Sequence, residues 1–126
     1  MNVPVMRTPA FFDAVAPIIV IDPLAALLGA AEGGRIEYRY LDAVKLAGHS
    51  CPTVAGAWLM TRAALAHLYQ DTVPERGSLR VDMQLAVDEG VTGVIASVYS
   101  PFSSTRWTSI VIVCAGWAGA SSTVPV

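Results

Sequence analysis

The chain has 126 residues, of which 54% are hydrophobic and 14% are charged, and its formal net charge is −2 at pH 7. This length fits one domain that can bury a core without disulfides or a structural metal. The low charge argues against a basic surface that neutralises phosphates, so we expect no nucleic-acid partner. The high apolar content excludes a disordered chain.

Location and membrane association follow from the same composition. The two cysteines, Cys51 and Cys114, lie too far apart to suggest a secreted disulfide framework. The first thirty residues contain Asp13 and the Asp22-Pro23 break, which do not fit a signal peptide. No uncharged apolar run reaches the roughly 18 to 20 residues of a membrane-spanning helix. We therefore expect a cytoplasmic protein with no membrane partner.

The domain organisation is simple. Residues 1–15 are predicted to form an N-terminal arm with the apolar anchors Phe11 and Phe12, and residues 16–126 a single domain. An apolar fraction this high in a small chain also indicates that a partner covers part of the surface. The predicted partner is a second copy, which makes the protein a homodimer.

Four elements are predicted before the central motif: a strand or extended lead-in at 17–21, a short helix at 22–34, a short strand or extended link at 35–40 and a brief helix at 41–48. In the first helix, Asp22 can accept hydrogen bonds from the first amides and Pro23 suits the first turn. Alternation in "RIEYRY" fits a strand, and Gly48 ends the second helix.

The strongest predicted element is a helix over residues 52–69. Its apolar residues recur at helical spacing, and Pro52 stands where a first-turn proline is tolerated. Small residues such as Gly56 are expected to let a neighbouring backbone approach. The alternation in "SLRVDMQLAV" predicts a half-buried strand over 78–87, and the following segment predicts a helix at about 92–100, although its valines and isoleucine also allow a strand.

The candidate catalytic or metal-binding side chains are His49 and Cys51, which flank Ser50 just before the long helix. A helix N-terminus favours a thiolate, the form of cysteine that attacks electrophiles and binds metals. His49 can supply a second metal ligand or accept a proton. Direct contact between side chains two residues apart is expected to be awkward. The remaining alternative is that Cys51 is an inert, buried thiol.

Two ligands do not complete a zinc site, which needs four, or three and a water. His67 lies about sixteen residues down the same helix, roughly 24 Å away, and cannot join them in one chain. Asp88 and Glu89 follow the predicted strand, where loops commonly build sites, and they are the further candidate ligands. They can equally be solvated turn residues or helix caps.

The segment "AGHSCPTVAGAWLMTRAAL" resembles the signature of the FmdE family, whose name comes from a component of formylmethanofuran dehydrogenase. That signature has the form G-H-x-C-P-G followed by a small-residue-rich helix. Four residues match it and a glycine matches further along: Gly48, His49, Cys51, Pro52 and Gly56. Thr53 replaces the glycine that usually follows the proline.

A second family segment reads roughly V-E-N-D-A-C-G-V-D-A and corresponds to "VDEGVTGVIA" here. Val87, Gly93 and Val94 match, Asp88 stands for the acidic residue and Thr92 replaces the cysteine. The resemblance covers about residues 40–100.

The resemblance implies an α+β fold, in which a small sheet packs against the helix at 52–69 and a second helix at 92–100. It also implies a dimer, with a cleft where cysteine and histidine can hold a divalent metal. The expected ligands are Cys51, His49, Asp88 and Glu89, and zinc is the expected metal. The cleft leaves room for a small-molecule ligand. The replacement at Thr92 argues against a two-thiol site, and no residues suggest the redox chemistry of the namesake complex.

Three functions remain open. The first is a divalent-metal-binding domain, whose open coordination position could support a hydrolytic reaction. The second is a metal-free thiol enzyme with Cys51 as the nucleophile and His49 as the base. The third is a non-catalytic partner subunit or dimerisation module, in which the motif only shapes the start of a helix.

The C-terminal segment departs from this pattern from about residue 101. Its last part, "VCAGWAGASSTVPV", has no charge and no clear period. Seven arginines against one lysine indicate a GC-rich gene, in which wrong-frame translation yields many Ala, Gly, Ser and Val residues. One hypothesis is that a frameshift replaced the native tail, and the alternative is a genuine terminal strand at "SIVIV".

Overall fold

The computed structural model describes residues 6–103. Its elements in chain order are α1 (Phe11–Ala14), β1 (Ile18–Ile21), α2 (Pro23–Leu27), a 3₁₀ turn (Glu32–Gly34), β2 (Arg35–Tyr38), α3 (Tyr40–Ala47), α4 (Pro52–Tyr69) and α5 (Thr92–Tyr99). β1 and β2 form a two-stranded antiparallel sheet. The predicted α+β fold is confirmed.

The start of α2 follows from the predicted cap. Asp22 Oδ1 accepts hydrogen bonds from the amides of Leu24 at 2.9 Å and Ala25 at 3.2 Å. The Asp22 amide donates to the Gly34 carbonyl at 2.8 Å, which brings the 3₁₀ turn against the end of β1. Gly34 has φ 71°, and a Cβ there would collide with the Asp22 carbonyl, so this close approach needs glycine.

Helices α3 and α4 have nearly the predicted bounds because local backbone chemistry sets their ends. The Arg39 amide donates to Asp42 Oδ2 at 2.7 Å across the first turn of α3. Gly48 is left-handed at φ 79° and ends α3. Pro52 then starts α4, since a proline in the first turn leaves no helical hydrogen bond unmade.

Edge-to-face aromatic rings connect the N-terminal residues to the end of the described chain. Phe12 packs on Tyr40 with ring centroids 4.9 Å apart, and Tyr40 packs on Trp58 at 6.1 Å. Trp58 lies 6.4 Å from Phe102, which packs on Tyr38 at 5.0 Å. Such pairs add stability beyond area burial. One core therefore joins α1, β2, α3, α4 and the residues after α5.

The close backbone approach that the small residues suggested occurs at α5 and not at Gly56. Among residues 6–103, a Cβ built on Gly56 would meet nothing within 4 Å. A Cβ on Gly93 would lie 2.6 Å from the Val87 carbonyl oxygen. Helix α5 packs against both α3 and α4, and the loop before it lies tight against its first turn.

The strand expected at 78–87 is absent from the part of the chain that the structure describes. There the segment has isolated bridges in place of a strand: Leu79 pairs in parallel with Ser103, and Asp82 is a second bridge position. Its alternating apolar side chains change from half-buried to exposed along the segment: Leu79, Val81 and Met83 are half-buried, and Leu85 and Val87 are exposed. Within residues 6–103 the segment does not join the sheet of β1 and β2, because Glu75 bridges β1 at Ile21 instead.

The predictions about the C-terminal tail, including the frameshift, the strand at "SIVIV" and Cys114, lie outside residues 6–103. Within that range, no helix is both long enough and apolar enough to cross a membrane.

Candidate functional site

The turn between α3 and α4 presents the predicted pair of side chains. After the left-handed Gly48, the chain continues to Cys51, which is extended at φ −147° and ψ 172° and occupies the N-cap position of α4. His49 is exposed and Cys51 is half-buried. Both residues therefore stand at the end of an 18-residue helix whose first amides are free of intrahelical partners.

A hydrogen bond that the sequence did not suggest holds this turn. Ser50 Oγ lies 2.8 Å from Tyr40 Oη. Tyr40 is only 3% exposed and packs between Phe12 and Trp58, so its hydroxyl is a rigid anchor. Ser50 and Tyr40 are positioning residues for the pair. The only signal for them in the sequence is two hydroxyls ten residues apart, which identifies no contact.

His49 is oriented by its own backbone. Its Nδ1 lies 3.0 Å from the Ala47 carbonyl oxygen, which can only accept a hydrogen bond. In the neutral ring, Nδ1 therefore carries the proton and Nε2 keeps its lone pair. Metal-binding histidines commonly have this arrangement, in which the second ring nitrogen donates to a carbonyl.

The Cys51 thiol is acidic for a cysteine. The backbone amide of Val54 lowers its pKa most, and His49 and Thr53 lower it further by hydrogen bonding. Partial burial acts in the opposite direction. That direct contact between the two side chains is awkward stays a prediction. A lowered pKa favours the thiolate, the form of cysteine that attacks electrophiles and binds metals.

Asp88 and Glu89 lie in the loop before α5, and both are exposed. The main chain of this loop is ordered by turns, since the Glu89 amide donates to the Ala86 carbonyl at 3.0 Å and the Thr92 amide to the Glu89 carbonyl at 3.2 Å. Across residues 6–103, no group of three or more His, Cys, Asp or Glu side chains is placed to hold one metal ion. The structure thus brings His49 and Cys51 together, but it does not gather either carboxylate with them.

Thr92, where the resemblance places a cysteine, is buried in the first turn of α5. No protein-family model, curated protein or solved structure matches this chain.

Proposed function

We propose that this chain binds a divalent metal ion, zinc, through the Cys51 thiolate and the His49 imidazole. The hydrogen bond from His49 Nδ1 to the Ala47 carbonyl carries the proposal, because it makes Nε2 the metal-binding nitrogen beside a thiol of lowered pKa. The resemblance of "GHSCP" to the FmdE signature supports the same function.

Two ligands from one chain leave coordination positions to be filled. Asp88 and Glu89 stay candidates only if their loop moves toward the pair. Water, a small-molecule ligand or the same pair from a second copy are the other donors. A second copy would complete a site of two cysteines and two histidines, a common zinc ligand set.

The proposed homodimer is supported by the apolar side chains that remain in contact with solvent. Leu24, Leu27 and Leu28 on and after α2 are 60%, 80% and 72% exposed. Clustered exposure of this kind marks interaction surfaces. Sedimentation equilibrium tests the dimer, and the 13.3 kDa mass of a single chain would contradict it.

The metal proposal is tested by the metal content of the purified protein. Wild type is expected to carry zinc in a fixed ratio to protein, and Cys51→Ala and His49→Ala are expected to lose most of it. His67→Ala is the matched control, because His67 is the other histidine and lies exposed on α4. Equal, substoichiometric metal in all four proteins would remove the proposal.

A metal-free thiol enzyme is the second candidate, and the lowered pKa of the Cys51 thiol supports it. Here Cys51 attacks an electrophilic substrate and His49 serves as the proton acceptor. Rapid alkylation of Cys51 by iodoacetamide at low pH, unchanged by chelators and accompanied by no bound metal, would support this function over the first.

A non-catalytic subunit is the outcome if both alanine variants fold, associate and retain metal as wild type does. The cytoplasmic location is part of the proposal as well, and it is supported by the few, widely separated cysteines.

A further inference from the structure

A second region with polar chemistry lies away from the Cys51 turn. An open cleft of about 680 Å³ separates α3 from the residues that follow α5. Its lining combines two cations, one carboxylate, two hydroxyls and two apolar side chains: Lys45, Arg76, Asp42, Tyr38, Ser100, Leu46 and Pro101. Small-molecule sites have volumes of this order and a similar mixture of apolar surface and few polar groups.

Arg76 is held in place at this cleft. Its Nη1 donates to Asp22 Oδ2 at 2.7 Å, and its Nε donates to the Pro101 carbonyl at 2.7 Å. Hydrogen bonding to Asp22 raises the pKa of Arg76 most, and the neighbouring Tyr38 raises it further. Because a guanidinium has five N–H donors, donors remain for a ligand after these contacts. The side chain is 40% exposed, so a ligand can reach it.

Lys45 provides a positive charge that no ion pair within residues 6–103 neutralises. It is exposed in the last turn of α3, and within residues 6–103 it forms no ion pair. The nearby carboxylate of Asp42 accepts a hydrogen bond from the Arg39 amide, which holds it at the start of α3. Since Arg76 is paired with Asp22, the two cations and the two carboxylates at the cleft balance, and Lys45 is the cation of the wall that has no ion pair within residues 6–103.

The apolar part of the wall is supplied by Leu46 and Pro101. Leu46 is 52% exposed, whereas the other apolar residues of its helix are buried, as Val44 is, or half-buried, as Leu41 is. A ligand with an apolar body would cover Leu46, and burial of apolar surface is favourable at about 25 cal/mol per Å².

We propose that this cleft binds a small monocarboxylate, with its charged head between Lys45 and Arg76 and its apolar body against Leu46 and Pro101. A single carboxylate would pair with Lys45, the cation of the wall that has no ion pair within residues 6–103. The fixed guanidinium donates to a carboxylate oxygen without losing further conformational freedom. The proposal does not depend on metal or thiol chemistry at Cys51.

An NMR titration of the ¹⁵N-labelled full chain with hexanoate tests it. We expect saturable shifts of the Leu46 and Arg76 amides in wild type. Lys45→Met keeps the apolar stem and removes the charge, and it should raise the Kd about fivefold, since the cleft is open and partly screened. Arg80→Ala is the control, because Arg80 is an exposed arginine outside the cleft, and its Kd should equal that of wild type.

Three results would overturn the proposal: no saturable shift in wild type, an unchanged Kd in Lys45→Met, or equal binding of hexylammonium, which has the same apolar chain with the opposite charge. Cys51→Ala should bind hexanoate as wild type does. Loss of metal in that variant with unchanged hexanoate binding would show that the cleft and the metal site at Cys51 bind their ligands independently.

Discussion

The Arg76 guanidinium donates from Nη1 to Asp22 Oδ2 at 2.7 Å, joining residues that are 54 positions apart in the sequence. The same aspartate caps α2, and the same arginine bonds the Pro101 carbonyl. The Arg76 amide also donates to the Ile21 carbonyl at 2.7 Å. This ion pair therefore ties the end of β1, the turn after α4 and the residues after α5 to one another.

The first prediction is that the Asp22–Arg76 pair makes stability depend on acid pH. The hydrogen bond from Arg76 lowers the pKa of Asp22 most, so the folded value lies below the ordinary value of 3.8. The stabilisation is complete above about 3.8 and is lost as the pH falls through the lower, folded value. The urea concentration at the unfolding midpoint of wild type, measured from pH 6 to pH 2, should decrease once the pH drops below about 3.8.

Asp22→Asn should have a lower midpoint at pH 6 and a flatter dependence on pH. The control is Asp71→Asn, which alters an exposed carboxylate in the turn after α4. An Asp22→Asn variant whose acid dependence equals that of wild type would show that the pair does not contribute.

The second prediction separates two helical glycines. Gly93→Ala should lower the free energy of unfolding by about 1 to 3 kcal/mol, because its Cβ would lie 2.6 Å from the Val87 carbonyl oxygen. The Cβ of Gly56→Ala would meet nothing within 4 Å in the described part of the chain, so this change should stabilise α4 by about 0.5 to 1 kcal/mol. Chemical denaturation of both variants measures the difference, and effects of the same sign would contradict it.

The third prediction concerns how far the core extends toward the C-terminus. Phe102 is 2% exposed and packs against Trp58 and Tyr38. Phe102→Ala should cost about 3 to 5 kcal/mol of unfolding free energy. Leu59→Ala, at a position on α4 that is 59% exposed, should cost less than about 0.5 kcal/mol. Similar losses in the two variants would mean that Phe102 is not a core residue.

The fourth prediction is a shifted thiol titration. In metal-free protein with Cys114→Ser as background, the iodoacetamide rate of Cys51 should reach half its maximum below the ordinary thiol pKa of 9.0. His49→Ala should move that midpoint to higher pH, since the imidazole helps to lower the pKa. The Val54 amide remains, so the midpoint should stay below 9.0. A midpoint identical in His49→Ala and in the control His67→Ala would contradict the contact.

The elements that could be predicted are those whose ends depend on neighbours in sequence. Gly48 ends α3 and Pro52 begins α4 because each imposes its own backbone conformation. Asp22 caps α2 through amides two and three residues away. The same local backbone preferences put His49 and Cys51 in one turn. These two of the four predicted ligands could therefore be placed together from the sequence alone.

The features that only the tertiary structure decided are contacts between groups far apart in the chain. The alternation at 78–87 predicted a strand, but a strand needs a neighbouring edge, and within residues 6–103 the segment has isolated bridges and does not pair with β1. Whether Asp88 and Glu89 approach Cys51 depends on how α5 packs, and no local pattern reports that. The Asp22–Arg76 ion pair and the cleft beside it arise for the same reason. Local backbone preferences act over a few residues, whereas contacts between distant segments are set by how the whole core packs.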